Sequence, residues 1–230
     1  MAETVRAAAD PAGAFPWPSA VLWDMDGTLV DSEPLWAEAL DEAAAELGRP
    51  LTAAVHERMT GTDDRTTMRM LVEYTGASIG EAELDALHDR IVARVVDMLR
   101  TAVPVHPDAP PTLRALRGAG VPMAVVTSSP ASVTATVLER LGRELFDAVV
   151  TAADVERRKP DPAPYLLAAE LLGVAPDRCW AVEDSPSGAE SAQRAGCRVF
   201  LVPDAVPAAR TEGRRPLAAL TELAELLPAG

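Results

Sequence analysis

Hydrophobic and polar positions follow two different patterns along the chain. A short, continuous apolar run at 19–24 is typical of a buried strand in a parallel sheet. From about 35 to 102 no strand pattern follows, and apolar residues recur there at the spacing of one helical face. The clearest such series is Leu84, Leu87, Ile91, Val95 and Met98. The pattern therefore predicts one strand followed by a helical block, with Pro34 in the first turn of its first helix.

From Pro104 onward, predicted strands and helices alternate. The strands are predicted at 121–127, 146–151, 179–183 and 197–202, and the helices at 108–119, from Ser129, at 162–172, at 186–195 and near 216–227. Such alternation is typical of a parallel sheet with helices on both faces. We therefore predict an α/β fold in which a Rossmann-like parallel-sheet core (20–34 and 103–230) is interrupted by an all-helical cap (35–102). Residues 1–19 are predicted to be a loose N-terminal tail.

Composition restricts the classes of function. The chain has 230 residues, of which 48% are hydrophobic and 24% are charged, as in ordinary globular proteins. A formal net charge of −14 argues against nucleic acid as a partner, because nucleic-acid-binding proteins present a basic face. No apolar run reaches the ~20 residues of a membrane span. Cys179 and Cys197 are too few for a disulfide scaffold. We expect a cytoplasmic protein, a monomer or a weak dimer, that does not bind membranes.

One basic residue differs from all the others. Of the 21 basic residues, Lys159 is the only lysine. A general bias towards arginine would explain this count without any function for Lys159. Alternatively, position 159 requires a compact ammonium group, which the planar guanidinium of arginine cannot replace.

Polar residues gather at the ends of the predicted strands and at the starts of the helices that follow them. These residues are Asp24, Asp26, Gly27, Thr127, Ser128, Ser129, Lys159, Glu183 and Asp184. Alternate side chains of an extended segment point the same way, so Asp24 and Asp26 can face one site, although such a pair also occurs in ordinary turns. Ser129 is predicted to be a helix N-cap, with Pro130 at the first helical position.

Four carboxylates in one cleft repel one another unless a cation lies between them. Oxygen ligands alone select a hard divalent ion, and an ion that also meets substrate phosphate indicates Mg²⁺. Lys159 and the hydroxyl groups of Thr127 and Ser128 would hold phosphate oxygens. This combination of carboxylates, hydroxyl groups and one ammonium group is typical of phosphoryl transfer to a carboxylate nucleophile. The expected substrate is a small phosphorylated metabolite.

These segments resemble the four ordered motifs of the haloacid dehalogenase-like superfamily, specifically its phosphatases with a small helical cap. The resemblance covers about residues 20–204. It implies that Asp24 attacks phosphorus, that Asp26 is the general acid and base, and that Thr127 and Lys159 bind the phosphoryl group. It also implies that Asp24, Asp184 and the main-chain carbonyl of Asp26 hold Mg²⁺, with Glu183 binding the metal directly or through a ligand.

Within the superfamily, the residues favour phosphomonoester hydrolysis. Dehalogenases lack a counterpart of Asp26, and phosphonoacetaldehyde hydrolases need a cap lysine that is absent here. Similar hexose-phosphate mutases have a cap histidine where this chain has Trp36, and a cap arginine where it has Asp64. A shift in register would bring Arg65 to that position, so a mutase remains the alternative. A binding protein without turnover is a further alternative, which the intact carboxylates and Lys159 disfavour.

The cap is expected to select the substrate. The residues of this region expected to contact the substrate are Trp36, Gly61, Thr62 and Arg65. Gly27 and the polar residues after the second strand are expected to contact it as well. The sequence favours a small phosphomonoester, such as a sugar or polyol phosphate, and does not identify the leaving group.

Overall fold

The computed structural model describes residues 17–59, 62, 64–203, 205, 209 and 213–226. Most of the predicted tail and Gly61 lie outside the described residues. A six-stranded parallel sheet forms the core, with the strand order β3-β2-β1-β4-β5-β6. The strands are β1 (Ala20–Trp23), β2 (Met123–Val126), β3 (Ala148–Val150), β4 (Cys179–Glu183), β5 (Arg198–Leu201) and β6 (Arg214–Pro216).

The predicted helical block is confirmed as a run of helices between β1 and β2. Its members are α1 (Glu33–Glu46), α2 (Ala53–Met59), α3 (Asp64–Thr75) and α4 (Glu81–Thr101). The helices that follow are α5 (Ala109–Gly118), α6 (Ala131–Leu141), α7 (Ala163–Leu171), α8 (Pro186–Ala195) and α9 (Glu222–Glu225). The apolar series on α4 is buried, except for Met98, which is partly buried against the core. The boundaries proposed for the core and the cap stay a prediction.

Strand β1 lies at the centre of the sheet and determines where the strand ends meet. All four of its residues are buried. Trp23 pairs with Val125 of β2 on one side and with Val182 of β4 on the other. The chain passes from β1 to β2 and β3, and then returns to β4 on the opposite side of β1. In sheets of this kind, ligands bind outside the carboxyl ends of the strands at such a reversal, which here lies at Asp24.

The two segments that connect the helical block to the sheet run side by side. Val30, after β1, forms an antiparallel bridge with Val105. The amide of Asp31 donates a hydrogen bond to the carbonyl of Pro104 at 2.9 Å. Both ends of the block are therefore attached close to the loop that follows β1.

Two details of local structure differ from the prediction. Among the described residues, the helix predicted near 216–227 is found only as the short α9, and an edge strand that was not predicted, β6, precedes it and ends at Pro216. β6 forms because β5 offers it backbone hydrogen bonds, a stabilisation that the local pattern of residues does not reveal. Ser129 is not an N-cap: Pro130 holds that position in an extended conformation, and the Ser129 hydroxyl bonds to Asp26 instead.

Both cysteines are buried and free, as expected of small apolar side chains. Among the described residues, no helix is both long enough and apolar enough to span a bilayer.

Candidate active site

Lys159 is at the centre of the contacts beyond the strand ends. Its Nζ donates hydrogen bonds to Asp24 Oδ1 at 2.6 Å, to Glu183 Oε1 at 2.6 Å and to the carbonyl of Val126 at 2.9 Å. Only 6% of the side chain is exposed. Burial alone would lower the pKa of Lys159, but the adjacent carboxylates outweigh it and raise that pKa, so the group stays cationic. The only lysine of the chain is therefore a buried ion-pair partner of two acidic residues.

Three acidic residues form a cluster that could hold a metal ion. Single carboxylate oxygens of Asp24, Glu183 and Asp184 lie within 4.8 Å of one another. Burial, followed by the charge of Glu183, raises the pKa of Asp24 well above its usual value and that of Asp184 to about 7. Asp24 Oδ2 is buried without a hydrogen-bond partner. An all-oxygen cluster with excess negative charge and an unpartnered oxygen fits a hard divalent cation.

Two glycines allow the backbone to approach these carboxylates. Gly27 has a positive φ of 82°, and a Cβ at this position would collide with the Asp184 carboxylate. At Gly188, in the first turn of α8, a Cβ would collide with both carboxylate oxygens of Glu183. Any larger residue at either position would displace an acidic group of the cluster. Gly27 was singled out from the sequence, whereas Gly188 was not.

The carboxylate of Asp26 is oriented by hydroxyl groups. Ser32 Oγ donates to Oδ1 at 2.5 Å, while Thr127 Oγ1 and Ser129 Oγ donate to Oδ2 at 3.0 and 2.8 Å. The structure thus brings the predicted residues Asp26 and Thr127 together. It adds Ser32 and Ser129, which the sequence analysis did not assign to the site.

Tyr165, on α7, is a further residue that the sequence analysis missed. Its side chain is fully buried, and its hydroxyl donates to Glu183 Oε1 at 2.5 Å. Burial, followed by the charge of Glu183, raises the pKa of Tyr165, so the hydroxyl keeps its proton and remains a donor. Glu183 Oε1 is therefore shared between Lys159 and Tyr165. The available signal was a tyrosine among apolar helix residues, because a buried tyrosine hydroxyl usually needs a partner.

The other residues predicted to bind substrate are found in varied surroundings. Ser128 is exposed at the end of β2, and Trp36 is partly buried against the core. The Thr62 hydroxyl bonds to the Met59 carbonyl at 2.8 Å and pairs with a neighbouring threonine hydroxyl. Arg65 forms an ion pair with Glu81 at the start of α4. Their contacts with a substrate stay a prediction, as does that of Gly61.

The helical block also meets the loop that carries Lys159. Arg158 Nη1 donates to Asp64 Oδ2 at 3.0 Å, which joins the first residue of α3 to the residue before Lys159. His88 Nε2, on α4, lies 3.8 Å from the same Asp64 oxygen. The carboxylate of Asp64 therefore lies between two basic groups at this junction.

Known proteins that are similar to this chain include phosphatases. The phosphorylated carbohydrates phosphatase of Thermotoga maritima is 34% identical over 178 residues, which are 77% of this chain and 81% of that protein. Hexitol phosphatase A of Escherichia coli is 36% identical over 185 residues, covering 79% and 81% of the two chains. The structure of CbbY from Rhodobacter sphaeroides in complex with xylulose 1,5-bisphosphate is 25% identical with a TM-score of 0.79, covering 89% of this chain and 96% of that one.

A family model also matches most of the chain. The model for haloacid dehalogenase-like hydrolases matches residues 18–196, a range that includes the acidic cluster, Lys159 and the whole helical block. With this match and the relatives above, the chain belongs to the haloacid dehalogenase-like hydrolase family.

Proposed function

We propose that this phosphomonoester hydrolase acts on a small phosphorylated sugar or polyol, requires Mg²⁺ and forms an aspartyl-phosphate intermediate. The observation that carries the proposal is the environment of Asp24. One of its oxygens is bound by Lys159, while the other is buried without a partner beside Asp184 and Glu183. Relatives that are phosphatases of phosphorylated carbohydrates and of hexitols support this class of substrate.

The first half of the reaction forms a bond between Asp24 and phosphorus. The carboxylate of Asp24 attacks in line, and the bond between phosphorus and the leaving oxygen breaks. Lys159, which is held between Asp24 and Glu183, binds phosphoryl oxygens as their charge is redistributed. Asp24, Asp184 and the main-chain carbonyl of Asp26 would hold Mg²⁺, which supplies charge neutralisation.

Asp26 would move the protons in both halves of the reaction. It protonates the leaving alcohol first, and it then takes a proton from the water that attacks the aspartyl phosphate. Orthophosphate leaves, and both carboxyl groups return to their starting states. The hydroxyls of Ser32, Thr127 and Ser129 fix the orientation of Asp26, so its carboxyl group is in place before the substrate binds.

Residues at two positions of the helical block disfavour the mutase alternative. A mutase must protect its phosphoenzyme from water until the bisphosphate intermediate has turned round. Trp36 stands where a cap histidine is expected, and an indole can donate a hydrogen bond but cannot accept a proton. Asp64, at the expected arginine position, is anionic and engages Arg158. Water is therefore expected to capture the aspartyl phosphate.

The competition between hydrolysis and isomerisation tests this function. With a hexose 1-phosphate and a catalytic amount of the corresponding bisphosphate, orthophosphate release should exceed formation of hexose 6-phosphate. Both products are measured in one reaction with Mg²⁺ present, and a known mutase serves as the control for the isomer assay. Isomer formation faster than phosphate release would show that the enzyme is a mutase.

Substitutions of the two aspartates after β1 should impair different steps of the reaction. Asp24→Asn should abolish turnover, because the amide is a poor nucleophile. Asp26→Asn should slow turnover by roughly 10²–10⁴-fold while the phosphoenzyme still forms from a substrate with a good leaving group. Rapid quench with mass spectrometry measures the phosphorylated fraction. Appreciable steady-state turnover by Asp24→Asn, with folding checked by circular dichroism, would contradict the mechanism.

Binding of Mg²⁺ should depend on pH because Asp184 must lose its proton. With the pKa of Asp184 raised to about 7, the metal-free folded state retains a proton that the unfolded chain releases. Metal-free stability should therefore fall as pH rises from about 4 to about 7. At a hundredfold excess over its Kd, Mg²⁺ should restore about 3 kcal/mol.

Thermal unfolding with and without Mg²⁺ measures this effect. The rise in Tm should be larger at pH 8 than at pH 6, should disappear with a chelator, and should be lost in Asp184→Asn. Sodium chloride at equal ionic strength is the control for screening. An equal rise in Asp184→Asn would contradict the assignment of Asp184 as a ligand, and full activity without metal would contradict the requirement for Mg²⁺.

Lys159→Arg should lose most of its activity although the charge is kept. The buried Nζ touches three acceptors, and the larger planar guanidinium does not fit that space. The kcat/KM for a hexitol phosphate measures the loss. Arg157→Lys is the matched control, since Arg157 is exposed two residues away and should tolerate the reverse exchange. Nearly normal kcat/KM in Lys159→Arg would make the single lysine a result of composition alone.

A further inference from the structure

The ion pair between Asp64 and Arg158 lies next to the reaction site without belonging to its phosphoryl-transfer groups. Arg158 is bonded directly to Lys159, whose Nζ contacts the nucleophile Asp24. Asp64 belongs to the helical block, and its bond to Arg158 joins that block to the loop that carries Lys159. Both side chains are partly exposed, by 44% for Arg158 and 36% for Asp64. Each side chain therefore keeps surface that a bound molecule could contact.

Basic groups at this junction already have acidic partners. Arg158 is paired with Asp64, and Arg65, the residue after Asp64, is paired with Glu81. Lys159 is paired with Asp24 and Glu183, as described above. A substrate that brings a second anionic group, besides the phosphate, would have to displace a carboxylate from its cation.

We propose that Asp64 is a specificity-determining residue that excludes leaving groups with a negative charge. It does so by repelling a second anion and by occupying Arg158, the cation that would otherwise receive that anion. The hydroxyl groups of a neutral leaving group are not repelled in this way, because the Asp64 carboxylate can accept hydrogen bonds from them. This inference rests on the proposed phosphatase function and narrows its substrates to monophosphates of neutral sugars and polyols.

Two linear substrates of the same length separate charge from shape. Sorbitol 6-phosphate and 6-phosphogluconate differ only at C1, which is a hydroxymethyl group in the first and a carboxylate in the second. The quantity measured is the ratio of kcat/KM for 6-phosphogluconate to kcat/KM for sorbitol 6-phosphate. The wild type should have a low ratio, and Asp64→Asn should raise it about tenfold, because one negative charge near the C1 end is removed.

A second variant tests the part assigned to Arg158. In the double variant Asp64→Asn with Arg158→Gln, the guanidinium that would receive the carboxylate is absent, so the increase in the kcat/KM ratio should be lost. Asp97→Asn is the matched control: Asp97 also lies in the helical block, is also paired with an arginine, and changes the net charge equally. Its ratio should equal that of the wild type. A gain that persists in the double variant would overturn the role of Arg158.

Binding measurements separate this proposal from the proposed function. Calorimetry with Asp24→Asn, in the presence of Mg²⁺, gives the Kd of both ligands without turnover, and the same is done with Asp24→Asn plus Asp64→Asn. If the wild type hydrolyses neither compound, the proposed substrate class fails, while the two Kd ratios still decide the role of Asp64. An unchanged ratio on adding Asp64→Asn, in binding and in turnover, would overturn the inference.

Discussion

The mutual repulsion of buried carboxylates at the ends of β1 and β4 is the constraint on which the rest of the site depends. Asp24, Glu183 and Asp184 cannot all be ionised at this depth unless cations balance them. Lys159 supplies one positive charge and is shared by two of the three. Burial, followed by the charge of Glu183, raises the pKa of Asp24 and Asp184, and one Asp24 oxygen has no partner. This arrangement fits the divalent cation and the phosphoryl group that we propose for the site.

Strand register and two glycines make room for these charged side chains. The register of β1 with its two neighbours aligns their carboxyl ends, and Gly27 and Gly188 leave room for the acidic side chains. Uncharged groups orient the acidic side chains at places where a further charge would be unfavourable. Three hydroxyls bind Asp26, and the Tyr165 hydroxyl binds Glu183. Charge is therefore concentrated on the groups proposed to meet phosphorus and metal, and uncharged donors position Asp26 and Glu183.

The proposed reaction and the proposed selection of substrate rest on different parts of the fold. The groups proposed to react with phosphate come from the loops beyond the strand ends, whereas Asp64 and Trp36 come from the helical block. The block is attached beside the site through the Val30–Val105 bridge and meets the Lys159 loop through Asp64 and Arg158. If the proposed roles hold, residues of the block could change the accepted leaving group while the reacting groups keep their positions. Such a division would allow one fold to serve different phosphorylated compounds.

The sequence alone determined the alternation of strands and helices, the helical insertion and the acidic strand ends, because hydrophobic periodicity and strand-end position are local properties of the chain. It did not show that Lys159 lies between Asp24 and Glu183, misplaced Ser129 as a helix cap and did not reveal β6. Only the tertiary structure decided these points, since each depends on partners far away in the chain. Asp26 and Ser129 are separated by 103 positions, and Asp24 and Lys159 by 135. Local pattern shows which residues are polar, but packing decides which of them share a proton, a charge or a ligand.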